Sequence, residues 1–259
     1  MEKELWDKMT KFTPLSELTK LNNNPIVNKV EDNIWVIPNF ISEEERKVYL
    51  DYIDSLPEEE WWKQNRNWWV GKYISIENST EIKLLAKTLS DRVQEYLADD
   101  VYLGAFGSIH RLTEGQGMFI HTDNPTDTRD LLNEHGEKIG ETSGHNNYCI
   151  LAMVLYLNDF NGAELYFPRL NNFEYKANAG DLVLFPGTGE EYDHGVRTLL
   201  PGPNRYITTG FGYDPRVESL KKARYVFEDL KTGEPVEIEP NLVVNDPEEV
   251  MKLPPRPLS

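Results

Sequence analysis

Between residues 101 and 213 the chain breaks into short strand-like runs, at 101–111, 117–122, 147–158, 164–167, 173–176, 181–185 and 205–213, punctuated by Gly, Asn and Pro. So many short strands argue for a sandwich or a jelly-roll barrel. The run 148–157 is apolar at both parities, so that strand is covered on both faces. Two upstream helices are the natural outer cover. Ser42-Glu43-Glu44-Glu45 forms a capping box, with serine at the cap and glutamate three residues on. The helix it opens carries Val48, Tyr49, Tyr52, Ile53 and Leu56 at helical spacing and ends before Pro57. A second helix, over about 80–98, carries Ile82, Leu85, Leu89, Val93 and Leu97 on one stripe.

The fold class expected is therefore mainly β with flanking helices, a double-stranded β-helix of the jelly-roll or cupin-like kind. Residues 1–32 form a polar segment, with a helical turn or two and then loop before the strand at 33–40. The barrel with its buttressing helices spans 33–214. In 215–259, Arg224-Tyr225-Val226-Phe227 and Val236-Glu237-Ile238 make a hairpin. Six of the 16 prolines fall at or beyond Pro235, which marks the last residues as an extended tail.

Composition agrees with one substantial core: 39% of the 259 residues are hydrophobic and 27% charged, which excludes collagen-like and wholly disordered chains. The net charge of −17 and pI near 4.7 disfavour nucleic acid as a partner. The densest basic stretch, Lys221-Lys222-Ala223-Arg224, is short. A single cysteine, Cys149, excludes an internal disulfide and a Cys-based zinc site; inside its apolar run it reads as a buried thiol. No stretch approaches the ~18 apolar residues of a membrane helix, and the N-terminus lacks a signal-peptide core. The expectation is a cytoplasmic protein with no membrane partner.

The chemistry sits in few residues. Of five histidines, His121 and His194 stand out. His121-Thr122-Asp123 ends a strand-like stretch and is stopped by Asn124-Pro125. Residues i and i+2 of a strand share a face, so an imidazole and a carboxylate aim at one point. A further imidazole completes a 2-His-1-carboxylate triad, the geometry that binds Fe(II) and leaves coordination positions open. His194, 71 residues beyond Asp123, is the natural third ligand. His110 has the wrong parity and place to join an H-x-D pair, and His135 and His145 lie in a polar loop. Taken alone, H-x-D is more often a surface accident. Arg205 opens a strand eleven residues beyond His194. Inside a barrel it needs an anion, and a carboxylate matches its fork best. The bland alternative is a solvated arginine after the Pro201-Gly202-Pro203 turn.

Together, His121-x-Asp123, His194 and Arg205 resemble the Fe(II)- and 2-oxoglutarate-dependent dioxygenases, in the prolyl 4-hydroxylase-like branch. The resemblance covers about 33–214. It extends to Val36-Ile37-Pro38-Asn39-Phe40 before the capped helix, to Tyr156-Leu157-Asn158-Asp159-Phe160 with Gly162-Ala163-Glu164-Leu165-Tyr166-Phe167, and to Ala179-Gly180-Asp181-Leu182-Val183-Leu184-Phe185. His121-Thr122-Asp123-Asn124-Pro125 and Arg205-Tyr206-x-x-Thr209 are similar to the hypoxia-sensing prolyl hydroxylases.

The resemblance implies Fe(II), 2-oxoglutarate and O2, with ascorbate as an accessory. It makes His121, Asp123 and His194 the iron ligands and Arg205 the grip on the far carboxylate of 2-oxoglutarate. Tyr156 and Tyr148 share a parity, and either hydroxyl could assist Arg205, Tyr156 being favoured by the family; Thr209 shares the Arg205 face. One departure is evident: related enzymes carry a tyrosine nine or ten residues before H-x-D, where this chain has Leu112 and Arg111. The polar stretch 124–147 reads as a long loop, either a lid over the substrate with Arg129 as a contact or a surface insertion. Trp61, Trp62, Trp68 and Trp69 read as packing for a helix-to-strand connection, with a peptide platform as the alternative. The implied activity is hydroxylation of a C–H, of a prolyl residue in a peptide or protein, with succinate and CO2 as coproducts. A free amino acid or small metabolite is the alternative substrate. A non-catalytic cupin-like binding barrel is the alternative of another class.

Overall fold

The structure, a computed structural model, describes residues 20–21, 24–63, 71–76, 78–97, 102–103, 106–123, 129–133, 135–142, 149–187, 189–213, 225–228 and 235–238. Two antiparallel sheets dominate. The larger runs, in spatial order, β1 (Asn28–Glu31), β2 (Ile34–Ile37), β13 (Leu182–Pro186), β10 (Cys149–Tyr156), β15 (Arg205–Tyr213), β6 (Ser108–Leu112), β4 (Lys72–Ser75) and β3 (Trp62–Lys63), with β5 (Tyr102–Leu103) beside the far end of β15. The smaller runs β12 (Phe173–Tyr175), β11 (Leu165–Phe167), β14 (His194–Val196), β7 (Met118–His121), β8 (Arg129–Leu132) and β9 (Lys138–Thr142).

Strand parity divides the larger sheet between two cores. Ile34, Val36, Ala152, Val154, Tyr156, Val183, Phe185 and Ile207 face the smaller sheet and pack with Leu165, Phe167 and Val196. Alternate residues, among them Trp35, Met153, Leu155, Leu182 and Leu184, face α1 (Glu43–Ser55) and α2 (Thr80–Gln94). All eight residues of β10 are buried, as its double apolar parity requires.

The helices begin where their caps dictate. Ser42 Oγ accepts from Glu45 N at 3.1 Å while Glu45 Oε2 accepts from Ser42 N at 2.9 Å. Ser79 Oγ accepts from Ile82 N at 3.3 Å. Arg92 of α2 ties the pair together, donating to Glu45 Oε1 at 2.6 Å and to Phe40 O at 2.8 Å. Its guanidinium holds the Glu45 carboxyl below the usual range. Among the described residues no helix is long and apolar enough to cross a membrane.

Four readings need correction. Residues Asn28–Glu31, expected in a loop, form β1, an edge strand on β2. The single strand expected over 101–111 is two, β5 and β6, both paired with β15. His194, which lies in none of the runs read as strands, stands on a strand of its own, β14. The supposed loop 124–147 contains a hairpin: β8 pairs with β9 and, at Leu132, with Ile120 of β7. Its turn is built by Asn133, whose Oδ1 accepts from His135 N at 3.0 Å and Glu137 N at 2.9 Å, while Gly136 takes φ 79°. The hairpin expected near the C-terminus is present as β16 (Tyr225–Glu228) with β17 (Pro235–Ile238); the tail beyond 238 lies outside the described residues.

Candidate metal centre

β7 and β14 are antiparallel neighbours, and His121 and His194 are direct cross-strand partners. That register brings two residues distant in sequence to ring centroids 4.5 Å apart. Asp123 follows two residues after His121 and is 6% exposed. Its carboxylate lies between the rings, Oδ1 3.9 Å from His121 Nε2 and Oδ2 3.8 Å from His194 Nε2. One ligand atom from each residue lies within 4.8 Å of the others. Those separations are too long for good hydrogen bonds and suit donor atoms grouped around one ion.

The tautomers follow from the backbone. His121 Nδ1 lies 2.8 Å from Phe119 O, and His194 Nδ1 lies 3.1 Å from Tyr192 O. A carbonyl only accepts, so each Nδ1 carries a hydrogen, and Nε2, the nitrogen nearer Asp123, is the one left for a metal. Burial pushes the His194 imidazole down to about 4, the Tyr192 carbonyl opposing this in part. It is therefore neutral at physiological pH, the form a metal needs. Phe185 and Phe167 flank its ring at 4.6 and 5.7 Å and keep the surroundings apolar. Two imidazole nitrogens and one carboxylate, buried and convergent, fit Fe(II) with coordination positions to spare.

Close packing behind the ligands holds this geometry. A Cβ on Gly195, next to His194, would lie 2.6 Å from Tyr166 Cε1 and 2.9 Å from Met118 O. Tyr166 is itself pinned under the Arg197 guanidinium, 3.9 Å above its ring. Gly195→Ala is therefore expected to destabilise the fold by about 1–3 kcal/mol through overpacking, lowering the calorimetric melting midpoint by several degrees. An unchanged midpoint would mean that β14 can shift at little cost.

Arg205 opens β15 and is 1% exposed, so it is no solvated turn residue. Its guanidinium carbon lies 5.1 Å from the Tyr156 ring centre and 5.5 Å from that of Phe160. Its Nε and Nη1 are buried with no hydrogen-bond partner among the described residues, and so is the Tyr156 hydroxyl. Burial pushes that phenol up, and the charge of Arg205 draws it partly back. A guanidinium on two aromatic faces with unmet donors is a strong anion site.

Of the two tyrosines singled out, Tyr156 is the one beside Arg205; Tyr148 lies outside the described residues. Arg129 stands on β8, its side chain outside the described residues, as are Trp68 and Trp69. Trp61 is structural: buried, with Arg111 4.3 Å above its ring. Arg111 also donates to Glu58 at 2.7 Å, and Leu112 pairs with Arg205 and packs in the inter-sheet core. The polar group that β6 turns toward the smaller sheet is instead His110, with Ser108 and, from β15, Thr209. Sequence reasoning set His110 aside. The signal that could have found it was Ser108-x-His110-x-Leu112, three residues on one strand face. Cys149 is a buried thiol donating to Leu151 O at 3.3 Å.

No protein-family model and no curated protein sequence matches the chain. Solved structures do. A prolyl hydroxylase from Trichoplax adhaerens, in complex with a hypoxia inducible factor oxygen degradation domain peptide fragment, aligns at TM-score 0.50 and 15% identity, covering 86% of this chain and 97% of that one. A viral collagen prolyl hydroxylase from Paramecium Bursaria Chlorella virus-1, in a 2OG complex, aligns at 0.49 and 15%, covering 71% and 98%. HygX from Streptomyces hygroscopicus, with nickel, 2-oxoglutarate and hygromycin B bound, aligns at 0.45 and 19%, covering 71% and 83%. At these identities the likeness is one of fold: the chain has the fold of the prolyl hydroxylase-like 2-oxoglutarate oxygenases.

Proposed function

We propose that the chain is an Fe(II)- and 2-oxoglutarate-dependent dioxygenase that hydroxylates a prolyl residue of a peptide or protein, and that its two sheets form a double-stranded β-helix around the site. The observation that carries this reading is the convergence of His121, Asp123 and His194 at one buried point, in a fold whose same inter-sheet core holds Arg205 with unmet donors. The prolyl assignment leans on the fold likeness to a peptide-bound prolyl hydroxylase, which supports it by analogy only.

The residues have separable tasks. His121 Nε2, Asp123 and His194 Nε2 would hold Fe(II) on one side, leaving the other for cosubstrate and oxygen. Arg205 would take the far carboxylate of 2-oxoglutarate in a two-pronged contact, with the Tyr156 hydroxyl beside it. Phe167 and Phe185 exclude water from the ligand side. When bound, iron and 2-oxoglutarate supply the oxidising chemistry: one atom of O2 enters the substrate C–H as hydroxyl, and the other enters succinate as CO2 leaves.

Purified protein with Fe(II), 2-oxoglutarate and O2 is expected to release succinate and add one oxygen, about +16 Da, to proline-containing peptides by mass spectrometry. Succinate release with oxygen added only to free amino acids would keep the chemistry and replace the substrate. An absence of succinate release under every condition would leave a binding barrel.

A further inference from the structure

One polar cluster on the inner face of the larger sheet belongs neither to the ligand triad nor to the Arg205 nest. β6 and β15 pair so that Ser108 stands opposite Thr209, and His110 opposite Ile207. Alternate residues share a face, so Ser108, His110 and Thr209 meet on the side that also carries Leu112 and Arg205. His110 Nε2 lies 2.8 Å from Ser108 Oγ and 3.3 Å from Thr209 Oγ1. The ring is 9% exposed and lies 6.3 Å from that of Tyr73. Along β15, Thr209 is four residues from Arg205, ~14 Å at ~3.4 Å per residue. An arginine side chain and a five-carbon dicarboxylate laid end to end span that distance.

A ring nitrogen between two hydroxyls decides where their hydrogens point. With the ring hydrogen on Nδ1, the single lone pair of Nε2 accepts from one hydroxyl at a time, Ser108 Oγ at 2.8 Å or Thr209 Oγ1 at 3.3 Å, and a hydroxyl so held turns only lone pairs to the core, which repels an anion. With the hydrogen on Nε2, the ring donates to one hydroxyl, whose own hydrogen can then be given to a carboxylate. An anion in the core selects the second arrangement.

We infer that His110 is a positioning residue for the cosubstrate: it orients the Thr209 hydroxyl and, through it, sets the affinity for 2-oxoglutarate. The inference rests on the dioxygenase reading and adds to it a residue that acts without touching the metal.

The test is calorimetric titration of 2-oxoglutarate into the Mn(II)-loaded full chain, which measures binding without turnover. His110→Gln keeps an amide where Nε2 sits; His110→Asn withdraws it by one methylene. His110→Asn and Thr209→Val are each expected to weaken binding about 2- to 10-fold, the worth of one hydrogen bond. The double variant should be no weaker than the weaker single, as for two residues acting through one contact. His110→Gln should stay within about 2-fold of wild type, and Mn(II) affinity should not change. Additive losses, or a His110→Gln as weak as His110→Asn, would overturn the inference. Thr209→Val, nearly isosteric, keeps the test open if an amide variant folds poorly: normal affinity there also sinks it. Wild-type protein that binds no 2-oxoglutarate removes the dioxygenase reading itself, whereas tight wild-type binding that every variant shares removes His110 alone.

Discussion

Asp123→Ala is expected to abolish metal-dependent turnover of 2-oxoglutarate and to weaken metal binding by more than about a hundredfold. Changes in residues that merely support a ligand already cost about 10- to 100-fold, so loss of a ligand should exceed that. The carboxylate is the one anionic group in the set, standing 3.8 and 3.9 Å from the two Nε2 atoms. Without it, two neutral imidazoles must hold a divalent cation alone. The loss is readable without any assay of activity. Mn(II) should raise the melting midpoint of wild-type protein, because a ligand that binds only the native state stabilises it, and should leave that of Asp123→Ala unmoved. The variant should fold, since it removes a buried charge and leaves both histidines held by the Phe119 and Tyr192 carbonyls. Retained turnover would take Asp123 out of the ligand set.

What could be read from sequence differs from what could not in a physical way. The pair His121 and Asp123 was legible because strand geometry puts i and i+2 on one face whatever the partner strand does. Arg205 was legible because a guanidinium opening an apolar strand must find an anion or water. His194 was found by elimination and resemblance, yet its own strand was missed: three residues, His-Gly-Val, carry no measurable period. The hairpin of β8 and β9 was missed because Arg-Asp-Leu-Leu and Lys-Ile-Gly-Glu-Thr alternate weakly and are rich in charge, although Asn133 and Gly136 between them are ordinary turn residues. His110 was passed over for a deeper reason. Its meaning depends on the register of β6 against β15, which sets Thr209 opposite Ser108, and register is a property of two strands that neither reveals alone.

Arg205→Met is expected to move stability and affinity in opposite directions. The wild-type guanidinium is 1% exposed, and its Nε and Nη1 find no partner among the described residues. The faces of Tyr156 and Phe160, 5.1 and 5.5 Å from its centre, offset only part of the desolvation. A methionine of similar length, with a polarizable sulfur against the same rings, carries no such burden. Replacing buried charge with apolar side chains is often neutral or stabilising by about 1–4 kcal/mol, so the cosubstrate-free variant should melt at or above the wild-type midpoint. Binding should suffer by contrast. Removing one partner of a buried, hydrogen-bonded charge pair costs about 2–5 kcal/mol, or about 30- to 5,000-fold in the dissociation constant of 2-oxoglutarate. The far carboxylate is what Arg205 reads, so 2-oxobutyrate, which keeps the metal-binding end and lacks that carboxylate, should bind wild type and variant alike. A variant that melts lower and loses both acids equally would make Arg205 a scaffold residue; one that melts as high or higher and loses only the dicarboxylate would identify a charge kept buried, at the expense of the empty fold, for the anion it binds.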